Sequence, residues 1–172
     1  MTLLGDPVLH APCEEVTEFG PELERLVEDM FATMYAARGV GLAANQVGVP
    51  LQVAIIEVDD KITELVNPEI VKGSGEQIDW EGCLSIPGYV AEVTRAAKVT
   101  VKARDRRGRE FRIKGEELLA RALQHEIDHL NGRLYIDYLD SLEELVRVRD
   151  AEDAEDAEDA GEEVTEETAA GI

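Results

Sequence analysis

The chain has 172 residues, 44% of them apolar, enough for one domain with a packed core and too many for a disordered chain. No apolar run approaches the roughly 18 residues that cross a bilayer, and the start, Met1-Thr2-Leu3-Leu4-Gly5-Asp6, has neither the basic and apolar regions of a secretory signal nor the arginines of a transit peptide. A cytoplasmic location is therefore the expectation, and a net charge of −21, with neither the body nor the C-terminal segment net basic, argues against direct nucleic-acid binding.

In chain order, Gly20-Pro21 opens the first expected helix, with proline where a missing N–H costs nothing. Leu23, Leu26, Val27, Met30, Phe31 and Met34 repeat with the spacing of one buried face, and Gly39 suits the C-cap. Leu51 to Val58 reads as a buried strand, too short and too β-branched for a helix. Beyond that strand, Asn67-Pro68 and Gly73-Ser74-Gly75 punctuate the chain. Lys98 to Arg104 alternates Val99, Val101 and Ala103 with polar residues, and Arg107-Gly108 turns the chain into a return strand through Phe111 and Ile113. A second helix is expected from about Glu116 to Leu130, stopping at Asn131-Gly132. Ser141-Leu142-Glu143-Glu144 has the form of a capping box for a short last helix.

From Asp150 to Ile172 there are eleven acids and no base, which puts −11 of the −21 there and leaves −10 on residues 1–149. Much of that segment is a three-residue repeat of alanine, glutamate and aspartate. Such a stretch repels itself and buries little, so a catalytic domain is expected over 1–149 and a solvated, disordered acidic tail over 150–172. Runs of strands broken by two main helices indicate an α+β fold: a single domain of mixed or antiparallel strands around the second helix.

The chemistry is concentrated in Gln124-His125-Glu126-Ile127-Asp128-His129. Positions i and i+4 lie on one helix face about 6 Å apart along the axis, so both imidazoles can reach one cation. Glu126 is then placed to take a proton from a water that the cation activates. Leu118, Ala122, His125 and His129 share a stripe, so the metal face runs on into an apolar one. The same string also arises on helices with one histidine solvated and the other packed; two of the chain's three histidines falling in it favours the metal. His10 has no such partners and reads as a surface or packing residue.

Two histidines need a third protein ligand and an open position for water. Downstream there is no further histidine, whereas Glu81-Gly82-Cys83-Leu84-Ser85 offers a cysteine in an expected loop, and Cys83 is the candidate. Cys13 reads as a buried, inert thiol. The stretch Gly39-Val40-Gly41-Leu42-Ala43-Ala44-Asn45-Gln46 fits a dinucleotide fingerprint, with Asp59 or Asp60 the right distance on. That reading fails on context, because a helix precedes the glycines where a strand is required. The glycines instead suit close approach of a ligand backbone, and Gln46 offers an uncharged donor.

These three stretches, in this order and spacing, closely resemble the signature motifs of bacterial peptide deformylase, and Gly5-Asp6-Pro7-Val8-Leu9 is similar to that family's N-terminal segment. The resemblance covers nearly all of residues 5–140 and leaves the tail outside. It implies a metallohydrolase that removes the formyl group from the N-terminal formylmethionine of new polypeptides. It also implies one divalent ion on Cys83, His125 and His129, natively Fe²⁺, with zinc, nickel or cobalt able to substitute. Glu126 would then act as base, with Gln46 and the Leu84 N–H stabilising the oxyanion. Val40, Leu118 and Ala122 are candidates for the methionine slot, and Gly41 and Gly82 for extended pairing with the substrate backbone. The implied partners are formylmethionyl nascent peptides and a transient encounter with the ribosome, with no nucleic-acid or membrane binding. Two other functions would use the same residues. A small metallopeptidase or amidase would differ in cleaving internal amides, and a non-catalytic metal module would need a closed four-ligand site or a damaged motif.

Overall fold

A computed structural model describes residues 1–148, so the domain limit at 149 and the acidic tail expected at 150–172 fall outside the described residues. Two α-helices, α1 (Pro21–Ala36) and α2 (Glu117–Leu130), accompany eight strands. These are β1 (Gly41–Ala43), β2 (Val53–Val58), β3 (Lys61–Ser74), β4 (Gln77–Cys83), β5 (Ile86–Arg95), β6 (Lys98–Arg104), β7 (Glu110–Glu116) and β8 (Val146–Arg147). One sheet has the order β1-β2-β3-β6-β7 and the other β4-β5-β8, with antiparallel pairing throughout both. This is the expected α+β class, with the histidine-bearing helix central to it.

The apolar run of β2 follows from burial on both faces. Val53 and Ile55 pack with Leu23, Val27, Met30 and Met34 of α1. Ala54, Ile56 and Val58 pack with Ala120, Leu123, Ile127 and Leu130 of α2. The five-stranded sheet is thus a middle layer between the helices. A third cluster, Leu9, Ile86, Ala91, Val93, Leu134 and Tyr135, seats the small sheet against the N-terminal segment and the turn after α2.

Two local expectations are corrected, and a third is narrowed. The residue that ends α1 in the left-handed region is Arg38 (φ 56°), not Gly39. The N–H of Arg38 bonds to the Tyr35 carbonyl at 3.1 Å and that of Gly39 to Met34 at 3.0 Å, the paired bonds of a Schellman end. Gly39 instead lies close against the turn after β4, where a Cβ would lie 2.8 Å from Leu84 Cδ1. Asn67-Pro68 does not end a strand but bulges β3, which continues to Ser74. Asn67 takes φ 51°, and its amide replaces strand pairing by bonding to the N–H and carbonyl of Val16, both at 2.8 Å. The box at Ser141 caps only a single 3₁₀ turn, Leu142–Glu144.

Candidate active site

The amphipathic period of α2 turns His129 (1% exposed) and Glu126 (4%) inward. The segment expected as a loop is in fact the end of β4, with only Leu84 and Ser85 in the turn to β5. A register shift between Gly82 and Cys83 re-aims the cysteine. Its Sγ lies 3.2 Å from His129 Nε2, and one donor atom from each of Cys83, His125 and His129 lies within 4.8 Å of the others.

This donor set fits a divalent ion. Bonds of about 2.1 Å to nitrogen and 2.3 Å to sulfur in tetrahedral geometry place ligand atoms roughly 3.3–3.8 Å apart. His125 Nδ1 is bonded to Glu81 Oε1 at 2.6 Å, which leaves Nε2 for a cation, the carboxylate–histidine arrangement that orients metal ligands. The charges agree. Burial alone would strip the His125 ring of its proton, but bonds with Cys83 and Glu81 and the charge of Glu126 raise its pKa well above the ordinary value, so the position favours positive charge. Burial and the neighbouring His125 push His129 well below its ordinary value, towards the neutral imidazole that can ligate.

Glu126 has an oxygen buried without a partner among the described residues, and burial pushes its carboxyl up to about 7. Gly41 makes room for it: a Cβ at 41 would lie 2.4 Å from Glu126 Oε1. Gly41, offered by sequence for substrate contact, is therefore first required by the carboxylate. Gln46 is held with its side-chain Oε1 accepting from Ala43 N at 2.9 Å and its Nε2 3.1 Å from Ser85 Oγ and 3.5 Å from Cys83 Sγ. That orientation turns the amide donor toward the cysteine.

Gln46, Cys83, His125 and Glu126 face a cleft of about 500 Å³. Val40, Gly41, Gly82, Leu118 and Ala122 line it, together with Gln46, Cys83, Leu84, His125 and Glu126; Trp80, Tyr89, Val90 and Val148 contribute further walls. His129 lies behind the lining, and His10 is exposed and apart, as expected. Cys13 is buried and unpaired, its thiol pushed up to about 11 by desolvation.

Sequence reasoning missed the groups that hold the candidate ligands. Arg95 donates to both oxygens of Glu81 at 3.1 and 2.6 Å, and Arg121 adds a bond at 2.8 Å. Arg95 also pairs with Asp128, three residues after His125 on the same helix. Burial alone would raise the Glu81 carboxyl, yet the bonds with His125 and Arg95 hold it down at about 2. No local pattern carried a signal for Glu81, because the register shift between Gly82 and Cys83 interrupts the period of two that would relate Glu81 to the cysteine. Asn45, also missed, donates to the His129 carbonyl at 2.6 Å and locks the end of α2 to the glutamine loop.

A buried carboxylate beside three side chains that could hold a cation, at the floor of an open cleft, is what water activation requires, and it points to the class of metal-dependent hydrolases. Comparison with known proteins narrows the class. The sequence model of polypeptide deformylase matches residues 1–145, and the chain belongs to that family. It is 55% identical over 134 residues to the peptide deformylase of Heliobacterium modesticaldum, covering 78% of this chain and 89% of that protein. Among solved structures it is similar to a peptide deformylase from Legionella pneumophila (TM-score 0.80, 50% identity, 83% of this chain and 86% of that one). It is also similar to one from Synechococcus elongatus in complex with actinonin (TM-score 0.81, 39% identity, 90% and 84%).

Proposed function

We infer that the chain hydrolyses the N-formyl group of formylmethionyl polypeptides, releasing formate, and we propose that Cys83, His125, His129, Glu126, Gln46 and Leu84 carry the reaction. The observation that supports this most is Glu126, a carboxylate buried at the cleft floor with an unpartnered oxygen and an affinity for protons near neutrality.

Cys83, His125 and His129 would hold one divalent ion, which supplies Lewis acidity to a water and to the formyl oxygen. Glu126 accepts the water's proton, its raised pKa matching it to that role near pH 7. The Gln46 amide and the Leu84 N–H donate to the oxygen on which charge develops as the formyl carbon is attacked. Glu126 then returns the proton to the departing amine. Glu81 keeps the His125 ring in the orientation and tautomer that ligation needs. The apolar slot for methionine is assigned to Val40, Leu118 and Ala122. Extended pairing of the substrate backbone falls to Gly41 and Gly82, which stand on edge strands of the two sheets facing the cleft. Two imidazoles and a thiolate form a borderline-soft set that accommodates Fe²⁺, the ion implied by family resemblance, as well as Zn²⁺, Ni²⁺ or Co²⁺. Encounter with nascent chains at the ribosome, in the cytoplasm, completes the proposal; among the described residues no helix is long and apolar enough to cross a membrane.

The test is formate release from a formyl-Met tripeptide by anaerobically iron-loaded protein, with the acetyl-Met analogue alongside. Fast formyl turnover with little acetyl turnover is expected. No formate from metal-replete protein would overturn the reading.

A further inference from the structure

The segment Thr2–Leu4 crosses between the two loops that carry Gln46 and Leu84. Thr2 donates its backbone N–H to the Gln46 carbonyl at 2.7 Å and its hydroxyl to the Asn45 carbonyl at 3.0 Å. Two residues on, the Leu4 N–H donates to the Ser85 carbonyl at 2.9 Å. Gln46 stands in the 3₁₀ turn after β1, on the edge of the five-stranded sheet, and Ser85 in the turn after β4, on the edge of the three-stranded one. The segment therefore ties together two loops that belong to different sheets.

Packing does not explain why it lies there. Leu3 and Leu4 are 54% and 47% exposed and add nothing to the core. The N-terminal chain is anchored farther on, where Leu9 is fully buried in the third cluster. The two loops it ties are by contrast buried: Gln46 is 2% exposed and Ser85 is 0%. Their carbonyls would lose their bonds, or turn toward water, without these N–H donors. The direct link between the loops, Gln46 Nε2 to Ser85 Oγ at 3.1 Å, uses the same amide that must face the substrate.

We propose that Thr2 and Leu4 are positioning residues that set the separation of the Gln46 side-chain donor and the Leu84 N–H. This rests on the assignment of those two donors under Proposed function. Both donors serve the charged oxygen of the transition state more than the neutral formyl group, so the effect falls on kcat rather than on KM.

Leu4→Pro removes the N–H, Thr2→Val removes the hydroxyl, and Thr2→Ser retains it. In the metal-loaded full chain, Leu4→Pro is expected to lower kcat about tenfold to a hundredfold, with KM changed by no more than about twofold, as for groups displaced by roughly an ångström. Thr2→Val is expected to lower kcat by about threefold, in line with one neutral hydrogen bond, and Thr2→Ser to restore it. Thermal midpoint and metal content should hold, while amide hydrogen exchange at Leu84 and Ser85 quickens. Unchanged kcat and exchange in both variants would overturn the proposal, as would a kcat loss that only follows loss of folded protein. Should Leu4→Pro fail to fold, the contrast of Thr2→Val with Thr2→Ser decides. A wild-type protein that releases no formate would overturn the reading of function instead, and hydrogen exchange would then decide whether the segment holds the loops.

Discussion

Four donor contacts converge on the two oxygens of Glu81, from Arg95 twice, Arg121 and His125. The carboxylate is 5% exposed, so its charge is tolerable only because guanidinium groups surround it. Glu81→Gln keeps the shape but leaves buried cations short of their partner, with an expected loss of roughly 3–5 kcal/mol in urea unfolding. Through His125 the same change should weaken metal affinity by about tenfold to a hundredfold, read by competition with a chromogenic chelator. Unchanged affinity would place Glu81 outside the metal's supporting groups. Glu126 should separate binding from chemistry. Glu126→Ala is expected to retain one equivalent of metal by elemental analysis while formate release falls by about 10²–10⁴, the usual contribution of a general base.

At the scale of elements, α2 was legible because a helix repeats its buried face every three to four residues, and β6 and β7 because they alternate. The end of β4 was not: Gly82 weakens the strand pattern, and its register shift is decided by pairing with β5. Nor was the bend of β3. Asn67-Pro68 reads as a stop, yet the Asn67 amide bonds to Val16, 51 residues away, and carries the strand past the break. Asn67→Ala loses both bonds and puts a Cβ-only side chain at positive φ. An expected cost of about 2–3 kcal/mol should appear as a lower urea midpoint. Because Asn67 does not line the cleft, kcat of the folded variant should be unchanged.

For the whole molecule, the buried Cys13 thiol makes stability sensitive to alkali. Its pKa is raised from 9.0 to about 11, so the unfolded chain gives up the proton first. The contribution is therefore complete below about pH 9 and is lost as pH rises through about 11, some 2–3 kcal/mol in all. Urea unfolding across that range should show a shallower decline for Cys13→Ala than for the wild type; parallel curves would contradict the assignment. The C-terminal end of the described chain also bears on the cleft, since β8 pairs with β5 and Val148 lines the wall. Truncation after Arg149 preserves those residues and should leave turnover of a neutral formyl-Met tripeptide unchanged. A large loss would show that the acidic segment takes part in catalysis.

The sequence by itself determined the chemical inventory: two histidines and a glutamate on one helical face, a cysteine and a glutamine in separate motifs, and the α+β class. Each of these depends on residue type and local periodicity, which a linear string preserves. Tertiary structure alone decided what stands around them. Glu81 meets His125 across 44 residues, Asn45 meets His129 across 84, and Thr2 meets Asn45 across 43. Such pairings come from how two sheets and a helix pack, and no local pattern encodes them, because the hydrogen bonds that orient the ligands form only once the hydrophobic clusters have brought those segments together.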